Sequence, residues 1–272
     1  MDFRYTDYMK RCLLVSILII CFFGSILTGC SDSRSDDYDH TLPQVGDHVV
    51  FGKYEQDGNK LNGAEPIEWE VIEVDGNRAL LISRYVLDCQ RYNEYTGTKA
   101  VTWETSDLRR WLNKDFYKTA FSESERRRIP TVTIENPDGP SYQHTDGGND
   151  TDDKVFILSY YEVQNYYEFV SWHDDETYGY SQDLISDATP YAVSRGVHVQ
   201  EISEYWYEER LGSEGYTHEC IGQRGAEIWT RTPGLSGCYV CTISSDGAMS
   251  GEMGCRVEDT IFGVRPVIYL EY

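Results

Sequence analysis

The chain changes its hydrophobic period twice, and that order of periods restricts the fold more than any single residue does. Glu65-Pro66-Ile67-Glu68-Trp69-Glu70-Val71 alternates acidic and apolar side chains, the period of a strand with one face in a core. Asp75-Gly76-Asn77 is a tight-turn signal before the apolar run Arg78 to Ser83, so these two runs are expected to form a hairpin. An earlier strand is expected at Val49-Val50-Phe51. From Ser106 the period lengthens, and Leu108, Trp111, Leu112 and Phe116 recur at helical spacing. Ser122 with Glu125 and Ser159 with Glu162 fit capping boxes, and Pro130 ends the helix that Ser122 starts. Tyr191 to Arg195 reads as one more short helix. Strands are expected at Thr131 to Ile134 and Val155 to Leu158. Residues 136–153 and 170–187 are rich in turn-forming and polar side chains and read as loops. Strand character then returns in Ile228 to Arg231, in a hairpin about Ser245-Asp246-Gly247, and in the closing run Val264 to Leu270. Strands at both ends with helices between them indicate an α+β fold, not βαβ alternation.

A different pattern occupies the amino-terminal end. Lys10-Arg11 precedes an apolar stretch from Cys12 to Phe23, and small residues lead to Cys30, the layout of a secretory signal. The apolar core is shorter than the roughly 20 residues a spanning helix needs. Leu27-Thr28-Gly29-Cys30 resembles the lipobox of bacterial lipoproteins. That resemblance implies cleavage before Cys30 and acylation of its thiol with fatty chains such as palmitate. The protein is then expected at the cell membrane, lipid-anchored and facing outside the cytoplasm. The expected organisation is a signal peptide over 1–29, a disordered tether over 30–42 and a single α+β domain over 43–272. The tether is polar and non-periodic.

Acidic residues number 46 against 24 basic ones, for a formal charge of −22. Such a surface repels phosphate backbones, so no nucleic-acid partner is expected. The loop Asp146-Gly147-Gly148-Asn149-Asp150-Thr151-Asp152-Asp153 concentrates oxygen ligands on a flexible backbone. This suits Ca²⁺ through Asp146, Asn149, Asp150 and Asp152; a solvated acidic loop fits the same residues. Asp174-Asp175-Glu176 is a weaker version of the same pattern.

Beyond Cys30 the cysteines are Cys89, Cys220, Cys238, Cys241 and Cys255. An odd number leaves at least one free thiol. The turn near Gly247 is expected to set Cys241 opposite Cys255. The six His are scattered, and neither His-Glu-x-x-His nor Gly-x-Ser-x-Gly occurs. Trp103, Arg109, Trp229, Arg231 and Arg265 admit two readings, an aromatic and basic ligand-binding surface or core packing with buried guanidinium contacts.

Val50-Phe51-Gly52-Lys53-Tyr54, Glu65 to Trp69, Leu80-Leu81-Ile82-Ser83, Val101 to Arg109, Trp111-Leu112-Asn113, Asp153 to Ser159, Trp229-Thr230-Arg231-Thr232-Pro233-Gly234 and Gly263-Val264-Arg265-Pro266-Val267 together resemble the bacterial domain-of-unknown-function 6273 family. The resemblance spans residues 45–270 and implies no particular reaction. The Trp-x-Arg-x-Pro-Gly strand, the hairpin and the last strand are also similar to the end of C-type-lectin-like domains, the formylglycine-generating-enzyme-like modules among them. This second resemblance implies antiparallel sheets, two or three short helices, long ligand-bearing loops, and a first strand paired with the last. Glu65-Pro66 is followed by Ile67 and no Trp-Asn-Asp triplet occurs, so the calcium-dependent sugar site of true lectins is not implied. The functional expectation is a surface lipoprotein whose domain binds an extracellular glycan or protein without catalysis. The alternative is a cell-envelope enzyme, for instance a hydrolase using acidic residues. Mass spectrometry of the native protein is expected to find an acylated Cys30 at the amino terminus; an intact, unacylated leader contradicts that address.

Overall fold

The computed structural model describes residues 42–272 apart from 96, 98, 173, 174, 210 and 215. Cys30, the expected signal peptide and nearly all of the expected tether lie outside the described residues, as does Asp174. The alternation in β2 (Glu65–Asp75) does what its period requires: Ile67, Trp69 and Val71 are fully buried, with Glu68 and Glu70 between them partly exposed. β2 pairs antiparallel with β1 (His48–Tyr54) on one side and with β3 (Arg78–Ser83) on the other. Gly76 turns the hairpin with φ +61°, a conformation that is inexpensive only for glycine.

The chain then runs through β4 (Asp88–Cys89) and α1 (Asp107–Trp111), which continues as a π-helical turn over Leu112–Phe116 and α2 (Tyr117–Ala120). Next come α3 (Glu123–Arg126), β5 (Val132–Ile134), β6 (Thr151–Asp153) and α4 (Tyr160–Tyr166). β7 (Val170–Trp172), β8 (Asp175–Tyr180), α5 (Pro190–Arg195), β9 (Val199–Glu201), α6 (Glu204–Glu209) and β10 (Arg224–Ala226) follow. The carboxy-terminal part holds β11 (Ile228–Pro233), β12 (Tyr239–Ile243), β13 (Ala248–Arg256), β14 (Gly263–Val264) and β15 (Val267–Glu271).

Two sheets carry the core. One has the order β1-β2-β3-β15 and the other β4-β14-β11-β12-β13-β8-β7, with β5-β6 and β9-β10 as separate pairs. All pairings between these strands are antiparallel except β11 with β14. The fold is therefore α+β with a β-rich character. The terminal run passes from one sheet to the other at Arg265-Pro266, where Arg265 Nε donates to the Ser83 carbonyl at 2.7 Å and Ser83 N donates to the Pro266 carbonyl at 2.9 Å.

Several expectations change. The first and last strands share a sheet but do not pair: β15 adds to β3, and β1 occupies the opposite edge because the hairpin turn leaves only β3 open on that side. Five short helices stand among the described residues instead of two or three, counting α1 to α2 as one. The polar stretch after residue 170 forms β7 and β8; β8 takes its register from β13, and β7 pairs on β8 as the sheet edge, neither from an apolar alternation. Val155 to Leu158 is buried as expected but makes only one bridge, Phe156 to Val267. Cys255 faces Val240, one residue off the expected partner, because the β12–β13 register shifts between Val240 and Thr242. Its thiol lies 3.8 Å from the Thr242 hydroxyl, and successive strand residues point to opposite faces, so Cys241 points the other way. Both are free thiols.

Both predicted capping boxes form. At α4, Glu162 N donates to Ser159 Oγ at 3.1 Å and Ser159 N to Glu162 Oε2 at 2.8 Å. Glu162 also meets the buried guanidinium of Arg231, with both terminal nitrogens engaged and Nη2 to Oε1 at 2.7 Å. Arg231 donates further to the carbonyls of Ile157 at 2.8 Å and Glu135 at 3.0 Å. One carboxylate thus starts α4 and fastens β11 to it. Urea unfolding is expected to show a loss of about 1 kcal/mol for Ser159→Ala, a cap alone. Glu162→Ala is expected to cost about 3 kcal/mol, because it strands a buried charge as well.

Candidate functional site

The helix that starts at Asp107 sorts its residues onto three faces. Ser106 caps it, accepting the Arg109 amide on its hydroxyl at 3.1 Å. Leu108, Leu112 and Phe116 enter the core. Arg109 and Asn113, four apart, turn to the carboxylate of Asp153 at the end of β6. Arg109 Nε donates to Asp153 Oδ1 at 2.7 Å and Asn113 Nδ2 to the same oxygen at 3.1 Å. Trp103 Nε1 and Thr151 Oγ1 donate to Oδ2 at 2.9 and 2.8 Å. Asp153 is fully enclosed, and these four donors match the acceptor capacity of a carboxylate.

The third face carries Asp107, Arg110, Trp111 and Lys114, spaced to lie side by side on a helix. It forms one wall of a cleft of about 670 Å³, which Cys89, Arg91, Glu94, Asp115 and Arg195 also line. The π-helical turn at Leu112–Phe116 displaces the helix backbone where Lys114 and Asp115 meet the cleft; such turns recur at functional sites.

Buried Asp88 underlies this cleft. It accepts from the Tyr54 hydroxyl at 2.5 Å, the Cys89 amide at 2.7 Å and Arg195 Nε at 3.4 Å. Burial, then the Asp88 charge, pushes the Tyr54 hydroxyl far above its ordinary range, so it is a neutral donor. Burial together with Asp88 also lifts the Cys89 thiol to about 11, and its sulfur donates to the Thr260 carbonyl at 3.2 Å. Only thiolates are strong nucleophiles, so Cys89 is unreactive near neutral pH.

The charge balance of the cleft departs from that of the chain. Arg91, Arg110, Lys114 and Arg195 face Glu94, Asp107 and Asp115, whereas acids outnumber bases almost two to one overall. Arg110 pairs with Asp107 and Arg195 with Asp88. Arg91, Lys114, Glu94 and Asp115 make no side-chain hydrogen bond or ion pair among the described residues.

The sequence-derived residues divide around this site. Trp103 and Arg109 meet at Asp153, behind the helix. Trp229 is buried, donates Nε1 to the Gln90 carbonyl at 2.9 Å, and packs on Phe262 and Tyr92 at 4.3 and 5.8 Å between ring centroids. It therefore supports the cleft segment from beneath. Arg231 and Arg265 lie elsewhere, buried against Glu162 and against Glu70 with the Ser83 carbonyl. The packing reading thus describes where four of these side chains are, and Arg109 is the one with a quarter of its side chain exposed.

The acidic loop does not bring its carboxylates together. Asp146 accepts the Gly148 amide, Asp150 the Asn136 amide and Asp152 the Thr133 hydroxyl, while Asn149 donates to Glu104. Among the described residues, three acidic side chains converge only at Glu55, Asp57 and Glu65, and each of these already accepts a nearby backbone amide. Sequence reasoning missed Arg91, Arg110, Lys114 and Arg195. The spacing of Asp107, Arg110 and Lys114 was readable, but nothing in it distinguishes a cleft wall from a solvated face.

A model of the family described as Domain of unknown function (DUF6273) matches residues 76–272. The match takes in the cleft and the Asp153 cluster and leaves β1 and β2 outside. No curated protein and no solved structure matches the chain.

Alkylation followed by peptide mass spectrometry is expected to modify Cys89 slowly at pH 8, with a rate that reaches half its maximum only near pH 11. An ordinary thiol reaches that half-way point by about pH 8.5. The linked stability has a definite sign. Unfolding returns the raised Cys89 and Cys241 thiols to lower values, so their contribution is whole below pH 9 and is lost as pH rises through 11 for Cys89 and 12 for Cys241.

Proposed function

The chain belongs to the DUF6273 family, and from the cleft that its matched region contains we propose a non-catalytic recognition domain displayed outside the cytoplasm. In this reading a lipid on Cys30 holds the domain at the membrane, and the cleft beside α1 takes an extracellular glycan or protein. We read the architecture as C-type-lectin-like: the terminal strand returns to the amino-terminal sheet, and long loops join the strands of the second sheet.

One observation carries the reading. The helix face that lines the cleft is fixed from behind by Asp153, so its charged groups and its tryptophan are presented on a rigid element and not on a loop. Preorganised donors and acceptors lower the ordering cost of binding. The state of the cleft's own groups supports binding over turnover. Cys89 is held as a thiol, and Asp107 is occupied by Arg110 and by the Glu94 amide at 3.0 Å.

The test is an array of envelope glycans and purified surface proteins probed with the full chain in detergent, with mass spectrometry of each bound ligand. Binding of an intact ligand, weakened at least tenfold by Arg110→Glu, is the expected outcome. Release of ligand fragments would favour the envelope hydrolase instead.

A further inference from the structure

We propose that the ligand of this cleft is an acidic glycan, a saccharide bearing uronate carboxylates; the inference rests on the recognition reading above and specifies its ligand. Three features converge. First, Arg91 and Lys114 are exposed cations without a partner among the described residues, in a chain whose net charge is −22. Carboxylates of a ligand are their natural counter-ions, and charge-assisted hydrogen bonds are about twice as strong as neutral ones. Second, Glu94 and Asp115 in the same cleft are acceptors without donors among the described residues. Hydroxyl groups satisfy such acceptors. A polyacidic peptide brings no comparable array of hydroxyls. Third, Trp111 is half-buried in the wall, packed on Phe116 at 5.5 Å between centroids. Its remaining surface offers a flat apolar platform with a polar edge, suited to the C–H face of a sugar ring.

Cations for carboxylates, acceptors for hydroxyls and an aromatic platform describe a ligand that is at once anionic and polyhydroxylated. The volume of about 670 Å³ falls within the range of roughly 300–1,000 Å³ typical of small-ligand sites. The exposure of the four charged groups makes the attraction sensitive to salt.

The experiment is calorimetric titration of the full chain in detergent with three probes: an oligogalacturonate, the same oligosaccharide with its carboxyls reduced to alcohols, and oligoglutamate. The oligogalacturonate is expected to bind at least tenfold more tightly than either of the others, and more weakly as salt is raised. Lys114→Glu and Arg91→Glu are each expected to weaken it at least tenfold, and Trp111→Ala likewise. Both charge reversals alter exposed side chains, and an unchanged melting temperature checks that they fold. Equal binding of the carboxyl-reduced sugar, or charge reversals without effect, overturns the acidic-glycan inference. If Trp111→Ala still abolishes binding of that neutral sugar, the recognition reading survives. Tighter binding of oligoglutamate assigns the cleft to acidic peptides and also overturns the inference. No binding of any probe overturns it too, and leaves the wider reading to the array.

Discussion

The enclosed carboxylate of Asp153 holds the functional face of the molecule in place. It receives two donors on each oxygen, from Trp103, Thr151, Arg109 and Asn113. Three of these come from the segment that leads into and through α1, so a short helix with a π-helical turn is tied to the β5–β6 pair at two points along its length. Asn113 adds a second link, accepting the amides of Lys154 and Val155 at 2.8 and 3.2 Å. A helix of so few turns has little stability of its own. Its orientation comes from Leu108, Leu112 and Phe116 on one side and from this polar clamp on another.

The same device recurs with different members. Glu162 joins α4 to β11 through Arg231, and Asp88 joins β4 to Tyr54 and to α5 through Arg195. Each carboxylate also accepts a backbone amide at the start of an element or beside it. Breaking a buried pair is far more costly than the pair is worth against an apolar substitute, so these links select one arrangement of helices against sheets more than they add stability. The apolar contribution comes from the large rings Trp69, Trp103, Trp229, Tyr92, Phe116 and Phe121, all of which are almost fully enclosed.

Much of this frame was legible in the residues. The alternation in β2, the turn at Gly76, the caps at Ser122 and Ser159 and the closing strand follow from local chemistry, and local chemistry decides them. What depends on distant partners was not readable. β7 and β8 have no apolar alternation; β8 takes its register from β13 and β7 from β8. A one-residue shift between Val240 and Thr242 sends Cys241 and Cys255 to opposite faces, and strand periodicity cannot foresee such an irregularity. The site shows the same division. Trp103 and Arg109 stand out in the residues, but what they reach is Asp153, which reads in the sequence as one more acid in a loop. Arg195 comes from a segment far from α1 in the chain, so its place in the same cleft as Lys114 is a product of topology.

The central claim is that Asp153 sets the helix that walls the cleft. Amide hydrogen exchange of the Asp153→Asn variant tests it most directly, since an amide turns an N–H donor toward groups that are themselves donors. Protection is expected to fall across residues 107–120 while β2, β3 and β15 keep theirs. Unchanged protection in that helix, or a uniform loss across both sheets, would contradict the account.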